Sequence, residues 1–195
     1  VIKFVIKFVI KFVIKFVIKF VIHYIKTYLY LNNMSEHKLT SNYILYFHDP
    51  LSFNWTLDSY VKIADIKTIE DYWKMNYLLS EYMHMGMFFL MKEGITPLWD
   101  ESNNNYSFSL KVLKNESLLY WNSINSYLLG GNFLNDKYKN DEKNNNTING
   151  ITISPKKNFC IIKIWLSEVL NENVRLAYKI PEKYKGDIVI KKYNS

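Results

Sequence analysis

"YVKIADIKTIEDYWKMNYLLSEY", residues 60–82, changes character part-way along. The segment 60–66 mixes apolar and polar residues at the short period of a half-buried strand. At Thr68 the pattern turns helical. Asp71 follows three residues later, a capping-box-like start in which the hydroxyl and the acid each satisfy a backbone N–H at the helix end. Strand and helix therefore meet at Thr68.

The strand pattern recurs on both sides, at 42–48, 86–92, 106–112, 150–154, 159–166 and 187–193. Several of these segments are close enough for an antiparallel meander. Two more stretches read as helices: 117–131, which ends in glycine, and 167–180, closed by Pro181. Strands with three interspersed one-sided helices predict an α+β layer, with the helices on one face of a curved sheet and the other face free. The Asn-rich stretches 102–105 and 135–149 are expected to be mobile surface excursions.

The chain has 195 residues, 49% of them hydrophobic, enough for one compact domain and not comfortably for two. The single cysteine, Cys160, excludes an internal disulfide framework and fits a reducing, cytoplasmic setting. The four histidines (23, 37, 48 and 84) are scattered, so no metal site is expected. The formal charge of +7 is unevenly placed. Residues 1–33 hold six lysines and no acid, and without them 19 basic residues face 18 acidic ones, a formal +1. An anion would have to meet a local basic cluster rather than a global field.

Residues 1–33 open with "VIKF" repeated perfectly, a four-residue period that suits neither a helix nor any solenoid unit. A lysine in every turn argues against a membrane span, and the segment lacks signal-peptide architecture. It is read as a low-complexity extension outside the fold, with Met34 as the expected start and 34–195 as the working domain. An amphipathic surface-binding tail is the alternative reading.

Tryptophan is costly in a wet loop, yet "GITPLWDES" (94–102) sets Trp99 beside Asp100 in one. "FHDPLSFNWTLDSY" (47–60) places Trp55 in another, between the first two strands. Two such residues at one end of a sheet can act as jaws on a flat cationic ring, through stacking and cation–π attraction. Asp100 beside them can accept two hydrogens from a guanine edge. The ligand this describes is 7-methylguanosine, whose methylation makes the ring cationic. Each tryptophan also has a plain structural reading, as a plug for the sheet's end or as core; Trp121 is assigned to the core outright.

Several motifs resemble eukaryotic translation initiation factor 4E, the messenger-RNA cap-binding family. "HKLTSNYILYF" (37–47), "TIEDYW" (68–73), "KEGITPLWDE" (92–101) and "IIKIWL" (161–166) carry the resemblance, which runs from His37 to about Lys191. It implies an α+β fold: a curved antiparallel sheet of about seven to eight strands with three helices on its convex face. It matches Trp55 and Trp99 to the stacking pair, Asp100 to a glutamate, and Trp165 to the residue that packs on the N7-methyl group. For the triphosphate it sets Lys156 in place of an arginine, with Lys157 next. The family's second basic position falls on Ile161, leaving Lys157 or Lys163 to replace it.

A second surface is implied for a helical Tyr-x-x-x-x-Leu-hydrophobic peptide of a scaffold factor or repressor. Its residues here are His37, Leu39, Ile69, Trp73 and Gly130, while Lys38 replaces a proline and Asn122 and Ser126 replace leucines. The resemblance therefore implies a protein that binds capped mRNA and recruits it for translation initiation. The polar Asn122 and Ser126 motivate the alternative of a cap-binding repressor or decoy. An enzyme is not expected, nor a cofactor: the chain shows no Gly-rich phosphate loop, clustered carboxylates or nucleophile–base pair.

Overall fold

The structure, a computed structural model, describes residues 36–99, 103–139, 144, 147–171, 173–180 and 188–193. The repeat of residues 1–33 and Met34 lie outside the described residues.

Seven strands form a single curved antiparallel sheet. They are β1 (Lys38–His48), β2 (Tyr60–Thr68), β3 (Met87–Lys92), β4 (Tyr106–Leu113), β5 (Ile148–Pro155), β6 (Phe159–Leu166) and β7 (Val189–Lys192). Their order across the sheet is β2-β1-β3-β5-β6-β4-β7. Each strand read from the sequence is present, most of them longer by a residue or more. The ladder is irregular between Leu45 and Tyr46 on β1 and between Ile148 and Gly150 on β5. Such irregularities bend a sheet. Gly150 marks a close approach of two backbones: a Cβ there would lie 2.5 Å from the Leu90 carbonyl oxygen of β3.

Side-chain alternation sorts the strand residues into two faces. Leu45, Phe88, Leu90, Phe108, Ile151, Ile153, Ile162 and Ile164 point to one side and are fully or almost fully buried. Covering them are α1 (Ile69–Leu79), through Tyr72, and α2 (Ser117–Leu129), through Trp121, Ile124 and Leu128. Trp121 is fully buried, as its core assignment expects. Residues of opposite parity, Phe89, Met91 and Trp165, form a small second cluster with Tyr46, Tyr60, Met87, Ile95 and Tyr193. No helical residue belongs to that cluster among the described residues, so this face stays open.

The cap of α1 is the one its sequence predicts. Thr68 Oγ accepts the Asp71 N–H at 3.0 Å, and Asp71 Oδ2 accepts the N–H groups of Thr68 and Lys67, each at 3.0 Å. The expected third long helix over 167–180 is different. Among its described residues Val174–Ala177 alone, here α4, is helical, and α3 is a similar single turn at Asp136–Lys139. Asparagines set where the helix begins: Asn171 Oδ1 accepts the Asn173 N–H at 2.8 Å ahead of it, and Asn173 is the N-cap of α4, its Oδ1 accepting the Arg175 N–H at 3.3 Å. Side chains that take backbone N–H groups two residues on compete with the helix ladder. Val169 and Leu170 still pack on the core from this irregular stretch. No helix among the described residues is long and apolar enough to cross a membrane.

Candidate functional site

The open face ends in a pocket of about 440 Å³, a size suited to a small organic ligand. Its walls follow from the alternation above. Met87 and Phe89 of β3, Thr152 and Ser154 of β5, and Ile161, Lys163 and Trp165 of β6 all line it, every second residue on each strand. Two loops complete it. The β1–β2 loop brings Trp55, and the loop after β3 brings Pro97 and Trp99. Trp55 is 43% exposed and Trp99 53%, so neither indole is consumed by the core.

The two tryptophans are held differently. The Trp55 ring stacks flat on His48, centroids 4.3 Å apart and planes 5° from parallel. His48 is fully buried, and its Nε2 donates to the Asn54 carbonyl at 2.7 Å, tying the loop to the end of β1. Asn54 Oδ1 in turn accepts the Thr56 N–H at 3.0 Å. Trp99 has no aromatic backing of this kind among the described residues. Its loop is secured from behind by Asn104, whose Nδ2 donates to the carbonyls of Thr96 at 3.0 Å and Leu98 at 2.6 Å. Asn149 Nδ2 donates to Asn104 Oδ1 at 2.9 Å, next to the β5 irregularity. Asn104 is fully buried and Asn149 is 4% exposed. The reading of 102–105 and 135–149 as surface excursions is thus corrected at these two positions. The asparagines replace backbone partners that an irregular loop cannot supply.

Trp165 forms the floor. It is 4% exposed, and its Nε1 donates to Thr152 Oγ1 at 2.6 Å. The Tyr193 ring lies alongside, 5.8 Å away and 17° from parallel. Tyr193 Oη meets Ser107 Oγ at 2.9 Å and accepts from Lys163 Nζ at 3.1 Å. Lys163 Nζ also sits 4.7 Å from the Trp165 ring centre.

Three lysines, 156, 163 and 191, line the pocket, and no aspartate or glutamate does so among the described residues. Such a wall suits an anion beside an aromatic ring. Of the basic residues considered from the sequence, Lys156 and Lys163 reach the pocket, while Lys157 is exposed and does not line it. Asp100 lies outside the described residues. Sequence reasoning missed His48, Lys191 and Tyr193. The alternation of "DIVIKKY" puts Lys191 and Tyr193 on one face, but only the pairing of β7 with β4 shows which face and which end of the sheet.

The residues assigned to the second surface divide between the start of β1 and the helices. The His37 carbonyl accepts the Ile69 N–H at 2.9 Å, which joins the two segments. Glu70 accepts twice from His37, from its N–H at 2.9 Å and its ring Nδ1 at 2.7 Å. Burial would raise the Glu70 carboxyl, but these bonds outweigh it and hold the group below its ordinary value. Leu39 and Ile69 are half-buried against the core, and Trp73 is 40% exposed, edge-on to Tyr72. Asn122 Oδ1 accepts from Tyr72 Oη at 3.1 Å, and Ser126 Oγ donates to the Asn122 carbonyl at 2.8 Å. These two polar residues are therefore engaged within and between the helices. Gly130 closes α2, its N–H bonded to the Ser126 carbonyl at 3.0 Å.

One curved antiparallel sheet carrying its long helices on a single face, with an aromatic, lysine-walled pocket on the other, defines an α+β class of protein. The sequence profile described as Eukaryotic initiation factor 4E matches residues 38–193. The chain belongs to that family. Among solved structures it is similar to Caenorhabditis elegans eIF4E-3 in complex with the 4E-binding protein Mextli and a cap analog. There the TM-score is 0.61 and the identity 19%, over 73% of this chain and 80% of that one. It is also similar to Ascaris suum eIF4E-3 with the m7G cap, at a TM-score of 0.58 and 21% identity, over 73% and 79% of the two chains. No curated protein sequence matches the chain.

Proposed function

We propose that this protein binds the 7-methylguanosine cap of mRNA, with the base between Trp55 and Trp99, and recruits the message for translation initiation. One observation carries the reading. Two half-exposed indoles from different loops line a pocket walled by three lysines and no described carboxylate. Aromatic faces suit a cationic base, and ammonium groups suit its phosphates. Stacking contributes about 1–3 kcal/mol per aromatic partner. Lys156, Lys163 and Lys191 are assigned to the triphosphate and Asp100 to the guanine edge, while Trp165 forms the floor beneath the base. Family membership and the cap-bound eIF4E-3 structures support the assignment.

The surface around Trp73 is proposed to receive a helical peptide of a scaffold or repressor. The eIF4E-3 complex with a 4E-binding protein supports this reading. Nothing about Asn122 or Ser126 favours the decoy alternative, since both side chains are engaged within the helical layer.

The deciding experiment is a tryptophan-fluorescence titration with 7-methyl-GTP and with GTP. Quenching by the methylated nucleotide at concentrations at least about tenfold lower is expected, from the cation–π contribution added to stacking. Equal affinity for both nucleotides, or none for either, would overturn the cap assignment.

A further inference from the structure

The edge strand β7 places a cation against the jaw that the base would use. Lys191 pairs across the ladder with Ser107 of β4, and its Nζ lies 5.7 Å from the centre of the Trp99 ring and 4.8 Å from that of Tyr193. Both separations are within cation–π range. Tyr193 fixes the geometry: its N–H donates to the Asn105 carbonyl at 2.8 Å, and its hydroxyl is bonded to Ser107 and Lys163. Lys191 makes no ion pair among the described residues and is exposed, so its stem is free to swing.

We infer that Lys191 is an internal stand-in for the cationic base, resting on Trp99 when the pocket is empty and moving to the phosphates when it fills. The inference rests on the cap reading and adds a selectivity device to it. A neutral base gains too little from the indole to displace an ammonium already there, whereas a cationic base replaces one cation–π contact with another. A nucleoside without phosphates displaces Lys191 and offers the ammonium nothing in return. The pocket therefore requires both charges at once, a positive ring and a negative tail.

The test compares 7-methylguanosine with its triphosphate by tryptophan quenching, using the full chain. For Lys191→Gln the nucleoside should bind about two- to fivefold more tightly, the size of one exposed cation–π contact, and the triphosphate several-fold more weakly. The preference for triphosphate over nucleoside should then fall by about tenfold, the two changes multiplied together. Lys191→Arg should keep the wild-type preference, and so should Lys192→Gln, which removes the same charge from the neighbouring position. Lys191→Gln weakening both ligands equally, or changing neither, would overturn the inference while leaving the cap reading intact. A wild-type protein that binds neither ligand would instead overturn the cap reading, and this inference with it.

Discussion

At the scale of single residues, the pocket depends on side chains that never touch its contents as much as on those that line it. Trp99→Ala removes a half-exposed indole and no core contact. It should abolish retention on cap resin while leaving the melting temperature within a few degrees, because surface truncations cost little stability. Asn104→Ala is the opposite case. It leaves the carbonyls of Thr96 and Leu98 without the partner that holds them, at a cost of about 1–3 kcal/mol in chemical denaturation. Cap affinity should also fall in a protein that still folds, and Asn104→Asp should not rescue it, since a carboxylate cannot donate. The two tryptophans were legible in the sequence because indoles are out of place in polar loops. Asn104 was not: an asparagine in an Asn-rich run reads as loop chemistry, and only burial distinguishes the one that carries a loop from those that face water.

The elements were legible wherever one period dominated. Strand β6 could be read to the residue because Ile162 and Ile164 alternate with Ile161, Lys163 and Trp165, and the Thr68–Asp71 cap marks the start of α1. The stretch 167–180 misled because its apolar residues have helical spacing while its asparagines set a later helix start, a local effect that periodicity does not register. Gly150 is a prediction at this level. Alanine would press a methyl group into the Leu90 carbonyl and the Met91 sulfur, so Gly150→Ala should lower stability by about 1–3 kcal/mol or force β3 and β5 apart. On the helical layer, Trp73→Ala should spare cap binding and weaken binding of a Tyr-x-x-x-x-Leu-hydrophobic peptide about tenfold or more, as loss of an aromatic anchor does. Equal loss of both activities in that variant, with the fold intact, would contradict two separate surfaces.

For the whole molecule, charge and acidity set the working range. The Glu70 carboxyl is held below its ordinary value of 4.5, so its contribution is fully present above that pH and is lost as pH falls through the lowered folded value. Glu70→Gln should therefore flatten the acid limb of a stability curve measured from about pH 7 to about pH 3, the variant being less stable than the wild type near neutrality and the difference shrinking as pH falls. Deleting residues 1–33 removes six lysines and is expected to leave cap affinity unchanged while lowering non-specific retention on polyanions. The net charge of +7 was thus easy to count and easy to misplace, since among the described residues the lysines that line the pocket are 156, 163 and 191. One asymmetry has a consequence for time rather than for affinity. Trp55 is braced by the buried His48 ring, whereas Trp99 rides on a loop that Asn104 pins from behind, with no aromatic ring stacked on it among the described residues. A bound ring would then escape by the second side moving, and residence time, not encounter rate, would respond to changes in that loop.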